Sequence, residues 1–588
     1  MSPSQIIVLA TPVFLLLIAV EFAWGYAHGR NTYRLNDAIN SISLGVLSQL
    51  GALFTKLLTL GIYTAVYSAV ALYPDTAFWS TWYGALLALV FYDFCYYWLH
   101  RAGHRSAILW AAHVVHHQSQ CYNLSTALRQ TGSGPLLAWV FYLPMAIAGV
   151  PPLIFAIVGL VDLLYQFWVH TEQVNKLGWF DRVFCSPSNH RVHHAVNDGY
   201  LDKNYGGILI LWDRLFGTFR EEDEPCVYGT RGPLNSWDPL WANAEVYWGL
   251  MQDSWRAQSW ADKVRVWFRP PGWRANDVAL KFPKPAFELS RVQVYDPVVS
   301  RGASLFAAAQ FTLLLSGVSA VLWFADVMPL RSSAVWTLAL VTGYWVVGAL
   351  LQGRITVLEA LMIDCAAMAT VTSALGLLDL HYAFKPLTMT IAIILVATYA
   401  YSTRSGGRFG TYFHAFLTAA LTCSLLGDVF LMLPGNYFIP GLASFLVAHL
   451  FYIALFRQGL AWFPSRRALL IVVAFGAAMY ALLWPSLHDP VLKLAVAAYV
   501  AAISLMTAQA IGRAAVVGDH ASRWAAVGAG VFMLSDSLIA INKFLQPVPL
   551  APLWILASYY AAQLLIVHNV CRTQSASLRH QDRRTPSA

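Results

Sequence analysis

The chain has 588 residues, 58% hydrophobic and only 12% charged, with a formal net charge of +8 and a mean hydropathy of +0.53. Soluble domains carry roughly a quarter of their residues as charges. Half that share, set between long apolar runs, excludes a soluble globular protein and predicts an all-α polytopic membrane protein. The basic residues lie mostly in short loops and one hydrophilic stretch, as membrane topology requires, so the charge is not a nucleic-acid signal. Seven scattered cysteines without a CxxC read as reduced, small apolar residues rather than a disulfide framework.

A spanning helix needs about 20 mostly apolar residues. The front of the chain offers 5–24, 43–72 and 79–99. Residues 1–24 lack a basic leader and a convincing cleavage site, and read as a first membrane helix rather than a removed signal. A hairpin, 135–149 and 152–169, breaks at Pro151-Pro152, and its short arms allow re-entry rather than crossing. A hydrophilic region follows at about 171–300. It holds seven tryptophans between Trp237 and Trp273, interleaved with Lys263, Arg265, Arg269 and Arg274. That pattern predicts a platform at the headgroup level; a soluble cap with an ordinary aromatic core is the alternative. Ten apolar segments then run from 303 to 570. The expected organisation is a histidine-rich helical bundle at 1–220, an amphipathic interfacial region at 221–302 and further front-module helices at 303–375. An eight-helix membrane domain at 376–572 and a basic tail at 573–588 complete it. Arginines recur in alternate loops and in the tail: Arg30 and Arg34, Arg404 and Arg408, Arg457 with Arg466 and Arg467, Arg513 and Arg523, then Arg572, Arg579, Arg583 and Arg584. The positive-inside rule then puts the N-terminus outside, and His100, His170, region 171–300 and the tail in the cytoplasm.

Nine of the 17 histidines fall within the 95 residues from His100 to His194. Residues i, i+3 and i+4 share one face of a helix. His100-x3-His104, His113-x2-His116-His117 and His190-x2-His193-His194 therefore each point two or three imidazoles one way, and His170 stands alone. A single histidine beside a membrane helix is more often a hydrogen-bonded core residue than a ligand. Nine buried together without a cation would be far too costly. Nine ligands are too many for one ion and about right for two. Neutral imidazole suits iron, zinc and copper. A nearly all-nitrogen site with open positions suits iron and O2 activation, whereas zinc would point to hydrolysis. Asp93, Asn123, Gln130, Glu172, Asp202, Lys203 and Asn204 could orient imidazoles as hydrogen-bond partners, or serve as helix caps and structural ion pairs.

In the rear segment, Asp428 lies in SLLGDVFLM, Asp536 in VFMLSDSLIAINKF, His449 in VAHLFY, and Lys385 begins the KPLT helix. Ionisable residues inside the membrane are functional candidates; an interhelical Asp–Lys pair is the alternative.

The segments DFCYYWLHRAGH (93–104), HVVHH (113–117), NLSTALRQ (123–130), LLYQFWVHTE (163–172), SPSNHRVHH (186–194) and DKNYGGILILWDRLFGTF (202–219) resemble the fatty acid hydroxylase/sterol desaturase superfamily. The similarity is closest to its alkylglycerol monooxygenase branch and runs from about residue 20 to 370. The resemblance implies a membrane diiron mixed-function oxidase. Its ligands to two iron ions would be His100, His104, His113, His116, His117, His190, His193 and His194, with His170 as the ninth. It would act on a lipid substrate with O2 and tetrahydrobiopterin or another electron donor, and the hemiacetal formed beside an ether oxygen would fall apart to a fatty aldehyde and a glycerol. Two positions depart from the branch: Arg105 where an acid can stand, and Asn189 where a further histidine can stand. The rear segments, with Leu433-Pro434-Gly435 and Tyr559-Tyr560-Ala561-Ala562-Gln563, resemble the YhhN-like lysoplasmalogenase family. That resemblance implies hydrolysis of the vinyl ether of lysoplasmalogen. Asp428 and Asp536 would serve as acid and base, and Lys385 would hold a phosphate or tune an aspartate. Two other readings stay open from the residues: a different sterol or fatty-acyl hydroxylation or desaturation with an accessory rear domain, and a metal-stabilised membrane binding or transport protein.

Overall fold

The computed structural model describes residues 2–402 and 407–582. Arg404, Arg583 and Arg584 of the charge pattern lie outside the described residues. The chain is all-α, and 12 of the described helices are long and apolar enough to cross a membrane. It is a multi-pass integral membrane protein made of two compact units. One comprises Met1–Pro329 with Val347–Arg354, the other Leu330–Val346 with Ile355–Ala588.

The front unit begins with Pro3–Ala27, whose start is fixed by a capping box: Ser2 and Gln5 satisfy each other's backbone N–H groups. The next helix, Leu35–Val70, starts eight residues before the expected span. Its first turns carry Asp37, Asn40, Ser41 and Ser43, all buried. These polar side chains face protein, which is why hydropathy misses them. Gly45 lets this helix touch the turn after Leu124–Ala127, since a Cβ there would stand 2.1 Å from the Leu128 carbonyl oxygen. Trp82–Arg105, expected as a span over 79–99, falls outside the twelve. Its packed face holds Asp93, Tyr97, His100 and His104. The hairpin is two short pieces, Gly134–Ala138 and Leu143–Ala148, joined by a 3-10 turn, and then Pro152–Trp168.

In the 171–300 region the tryptophans divide between buried and exposed positions. Trp237 is buried against Tyr295, with ring centroids 5.3 Å apart. Along Pro239–Arg256 and Trp260–Phe268, by contrast, Trp248, Trp255 and Trp260 are exposed, Trp255 by 85%.

In the rear unit, Val357–Ala374 packs against Leu378–Ser402 and Ala551–Asp582 and shares one core with the other described helices that follow residue 376. Its first turn is set by a Thr356–Glu359 capping box. The core there is rich in alanine (Ala369, Ala392, Ala420, Ala448, Ala529, Ala562), and small side chains let membrane helices approach closely.

Candidate functional site

The nine histidines converge into two groups. The ligand atoms of His100, His104, His113, His117 and His193 lie within 4.8 Å of one another, and so do those of His116, His170, His190 and His194. The placement begins with the ends of helices. His100 and His104 end Trp82–Arg105; His116 and His117 lie on the four-residue helix Val114–His117; His170 follows Pro152–Trp168. His190, His193 and His194 occupy Pro187–His194, an eight-residue helix buried on every side, capped by Ser186 and started by Pro187.

Backbone carbonyls fix the tautomers. Nδ1 of His100 faces the Tyr205 carbonyl at 2.8 Å, His116 that of Arg129 at 2.9 Å, His170 that of Gln166 at 2.8 Å and His193 that of Lys203 at 3.0 Å. A carbonyl only accepts, so each Nδ1 carries the proton and each Nε2 turns a lone pair inward. His116 and His170 then oppose two lone pairs at 3.1 Å. Similar Nε2–Nε2 separations join His100 to His113 (3.1 Å), His113 to His117 (3.0 Å), His170 to His190 (3.1 Å) and His190 to His194 (3.2 Å). Bare lone pairs at that distance repel. Around an ion with metal–nitrogen bonds of about 2.1 Å, ligands at right angles stand about 3.0 Å apart. Burial also keeps the rings neutral: it pulls the pKa of His116 down to about 4 and that of His100 to about 3. This neutral, all-nitrogen donor set fits a non-haem iron site.

The supporting frame is built from 202–222. Asp202 and Asn204 both adopt the left-handed region at φ 57°, presenting the Lys203 and Tyr205 carbonyls to His193 and His100. Such strain persists only where surroundings enforce it. Here Asn204 donates to the carbonyls of Asn189 and Arg220, at 3.0 and 2.8 Å. Asp213 accepts from the Tyr205 and Gly206 amides, and Asp93 from the Ile208 and Leu209 amides and the Trp212 indole. Gly207 must be glycine, because a Cβ would meet Asp93 and Asp162 oxygens at 2.8 and 2.9 Å. Arg191 grips Glu222 with two 2.7 Å bonds and donates to the Thr171 and Val174 carbonyls, tying the ligand helix to the turn after His170. Burial alone would raise the Glu222 carboxyl, but Arg191 holds it below its usual value. Glu21 accepts hydrogen bonds from the Thr171 and Tyr33 hydroxyls and the Leu124 amide.

The expected orienting residues divide. Lys203 acts through its carbonyl, not its side chain. Gln130 donates to the Ala127 carbonyl and Asn123 caps Leu124–Ala127, so neither binds an imidazole; the neighbour Arg129 does so through its backbone. Arg129, Arg191, Tyr205 and Glu21 escaped the reading of the sequence. A charged residue inside a ligand helix, Arg191, was the one signal that could have been used.

In the rear unit Lys385 pairs with Asp428 at 3.4 Å, and the Tyr559 hydroxyl donates to Asp428 at 2.7 Å. Asp536 accepts from the Tyr499 hydroxyl at 2.5 Å, with His449 Nε2 3.1 Å from that hydroxyl and 3.6 Å from the carboxylate. Tyr499 and Asp536 line a cavity that is partly open to the outside. Its other walls are mainly apolar, including Leu431, Phe445, Met479 and Ile503; Asp428 and Lys385 lie outside the lining.

The comparisons with known proteins match both units. The fatty acid hydroxylase family matches residues 85–218 and the YhhN family residues 380–570. The alkylglycerol monooxygenase of Homo sapiens is 38% identical over 311 residues, 52% of this chain and 69% of that protein. That of Danio rerio is 35% identical over 415 residues, 67% and 88% of the two chains. The chain belongs to the alkylglycerol monooxygenase family. Its rear part adds a YhhN-family domain, 38% identical over 172 residues to a lysoplasmalogenase of Sus scrofa, 29% of this chain and 69% of that protein. No solved structure matches. Against the alkylglycerol monooxygenase pattern, the two departures have structural partners. Arg105 stands 3.5 Å from Asp202, itself 3.8 Å from His104 Nδ1. Asn189 donates to the Asp181 and Phe184 carbonyls, so this position braces the start of the ligand helix.

Proposed function

We propose that the front unit is a diiron monooxygenase that cleaves alkyl ether lipids, and that the rear domain hydrolyses the vinyl ether of lysoplasmalogens. The observation that carries the first reading is the division of nine neutral imidazoles into groups of five and four. Two iron ions, held by those groups, would supply O2 activation. His100, His104, His113, His117 and His193 would hold one; His116, His170, His190 and His194 the other. The overall change balances as R–CH2–O–R′ + O2 + 2e⁻ + 2H⁺ giving R–CH(OH)–O–R′ + H2O; the hemiacetal then releases R–CHO and R′–OH. An electron donor is required, and tetrahydrobiopterin is the proposed one. The residues of the chain keep the ligands neutral, fix their tautomers and hold the ligand helix through Arg191–Glu222. The exposed Trp248, Trp255 and Trp260 support an interfacial platform, and the arginine pattern supports a cytoplasmic histidine site.

For the second reaction, Asp536 is the acid. It lines the cavity, and its Oδ2 is occupied by Tyr499. The alkenyl β-carbon takes the proton, water adds to the adjacent carbon while its proton returns to the carboxylate, and the hemiacetal collapses to aldehyde and alcohol. Asp428, held by Lys385 and Tyr559, supplies the second carboxyl. The test is product analysis of the purified chain. Fatty aldehyde should form from alkylglycerol only with O2 and a reductant, and from lysoplasmalogen without either. Aldehyde from alkylglycerol under anaerobic conditions would overturn the first assignment, and no aldehyde from lysoplasmalogen the second.

A further inference from the structure

Lys385 is the basic residue that the sequence offered for a phosphate, but it is buried, paired with Asp428 and absent from the cavity wall. Two other lysines, also outside the lining, rest on aromatic rings that belong to the wall or adjoin it. Lys543 Nζ lies 4.4 Å from the ring centroid of Phe438, and Lys493 Nζ lies 4.3 Å from that of Trp484. Phe438 and Phe544 both line the cavity, with centroids 5.7 Å apart; Leu483 and Val496, beside Trp484 and Lys493, line it too. Lys543 sits on a π-helical turn, Ile541–Leu545, that continues the helix carrying Asp536; such turns recur at functional sites. Neither lysine has a carboxylate within ion-pair distance among the described residues. The nearby Asp489 carboxylate caps its helix, accepting from the Val491 amide at 2.9 Å. A cation resting on an aromatic face keeps its charge available to an anion.

We infer that Lys543, assisted by Lys493, recognises the phosphate of a single-chain ether phospholipid whose alkenyl group reaches Asp536. The inference rests on the hydrolase reading above and specifies which residues hold the phosphate of its substrate. Asp536 and Lys543 are seven residues apart, about 10 Å along a helix rising 1.5 Å per residue, a span that a glycerophosphate and a lysine side chain bridge together. The bland alternative is that both lysines anchor helix ends in the headgroup layer, as lysines beside aromatic residues do at membrane interfaces.

The experiment compares 1-alkenyl-glycero-3-phosphocholine with neutral 1-alkenylglycerol on the full chain in one uncharged detergent. The proteins are wild type, Lys543→Gln and Lys493→Gln/Lys543→Gln. The double variant should raise KM for the phosphate-bearing substrate about fivefold, with kcat unchanged and KM for the neutral substrate unmoved. Lys543→Gln alone should give most of that change. Equal movement of both KM values, or of neither, overturns the proposal in favour of anchoring. Binding of the saturated 1-alkyl analogues, with and without phosphate, reads the same site without turnover. The phosphate-dependent part of binding should vanish in the double variant, whereas any binding to the histidine unit is common to both proteins. Wild type that hydrolyses neither substrate yet keeps this lysine-dependent phosphate preference would sink the hydrolase reading and uphold the inference. Wild type without that preference would sink the inference. Millimolar inorganic phosphate should leave KM unchanged; competition by it would reassign the lysines to a free-phosphate site and overturn the lipid assignment.

Discussion

The two units place their reactive groups differently. In the front unit every histidine lies on a short helix, on a turn or at a helix end, and four of them are oriented by main-chain carbonyls. In the rear unit the carboxylates lie inside long apolar helices and are held by side chains from other helices: Tyr559 and Lys385 for Asp428, Tyr499 and His449 for Asp536. An array that must hold cations needs many fixed donors, and main-chain carbonyls supply that rigidity. A carboxyl that must move a proton needs an apolar wall and one or two hydrogen-bond partners, which the helical bundle provides.

Substitutions can break this division. His193→Ala/His194→Ala removes one ligand from each group and should lower ether oxidation by roughly 100-fold or more, while lysoplasmalogen hydrolysis in the same preparation stays at the wild-type rate. Parallel loss of both activities would mean the units are not chemically separate. The converse change, Asp536→Asn, should lower hydrolysis by about 10²–10⁴-fold and leave oxidation intact; Asp428→Asn, outside the cavity wall, should cost less. Equal losses would assign the two carboxyls equal parts.

Smaller changes sharpen the contrast. Arg191→Ala should weaken iron retention by roughly 10- to 100-fold without touching the rear activity, measured as metal content after dialysis against a chelator. Tyr499→Phe should reduce hydrolytic kcat about tenfold through loss of the hydrogen bond that supports the carboxylate left on Asp536 when it gives up its proton. The Arg191–Glu222 pair also gives a pH signature. Because the folded Glu222 carboxyl is held below its ordinary value, its stabilisation is fully present above about pH 4.5 and is lost as pH falls through the folded value. Glu222→Gln should therefore lower front-unit stability at pH 7 and flatten its loss in acid, as read by thermal unfolding at pH 7 and pH 4.

The same difference explains what could be read from the sequence. The histidine spacings are local, so helical periodicity alone announces that they share faces. The nine also sit between apolar runs, which places them at a membrane. Hydropathy found the long helices but missed the buried polar start of Leu35–Val70, because a polar side chain facing protein and one facing water look alike in a sequence. The carbonyls of Arg129, Lys203 and Tyr205 leave no side-chain signal at all. In the rear unit Asp428 and Asp536 stand out as charges among apolar residues. Tyr499, 37 residues from Asp536, is one of 28 tyrosines, and only folding shows which one meets the acid.

Elemental analysis of the purified full-length chain bears most directly on the metal centre. We expect close to two iron atoms per chain, falling in His193→Ala/His194→Ala together with O2-dependent aldehyde release. Iron near zero, with stoichiometric zinc in an active preparation, would contradict it.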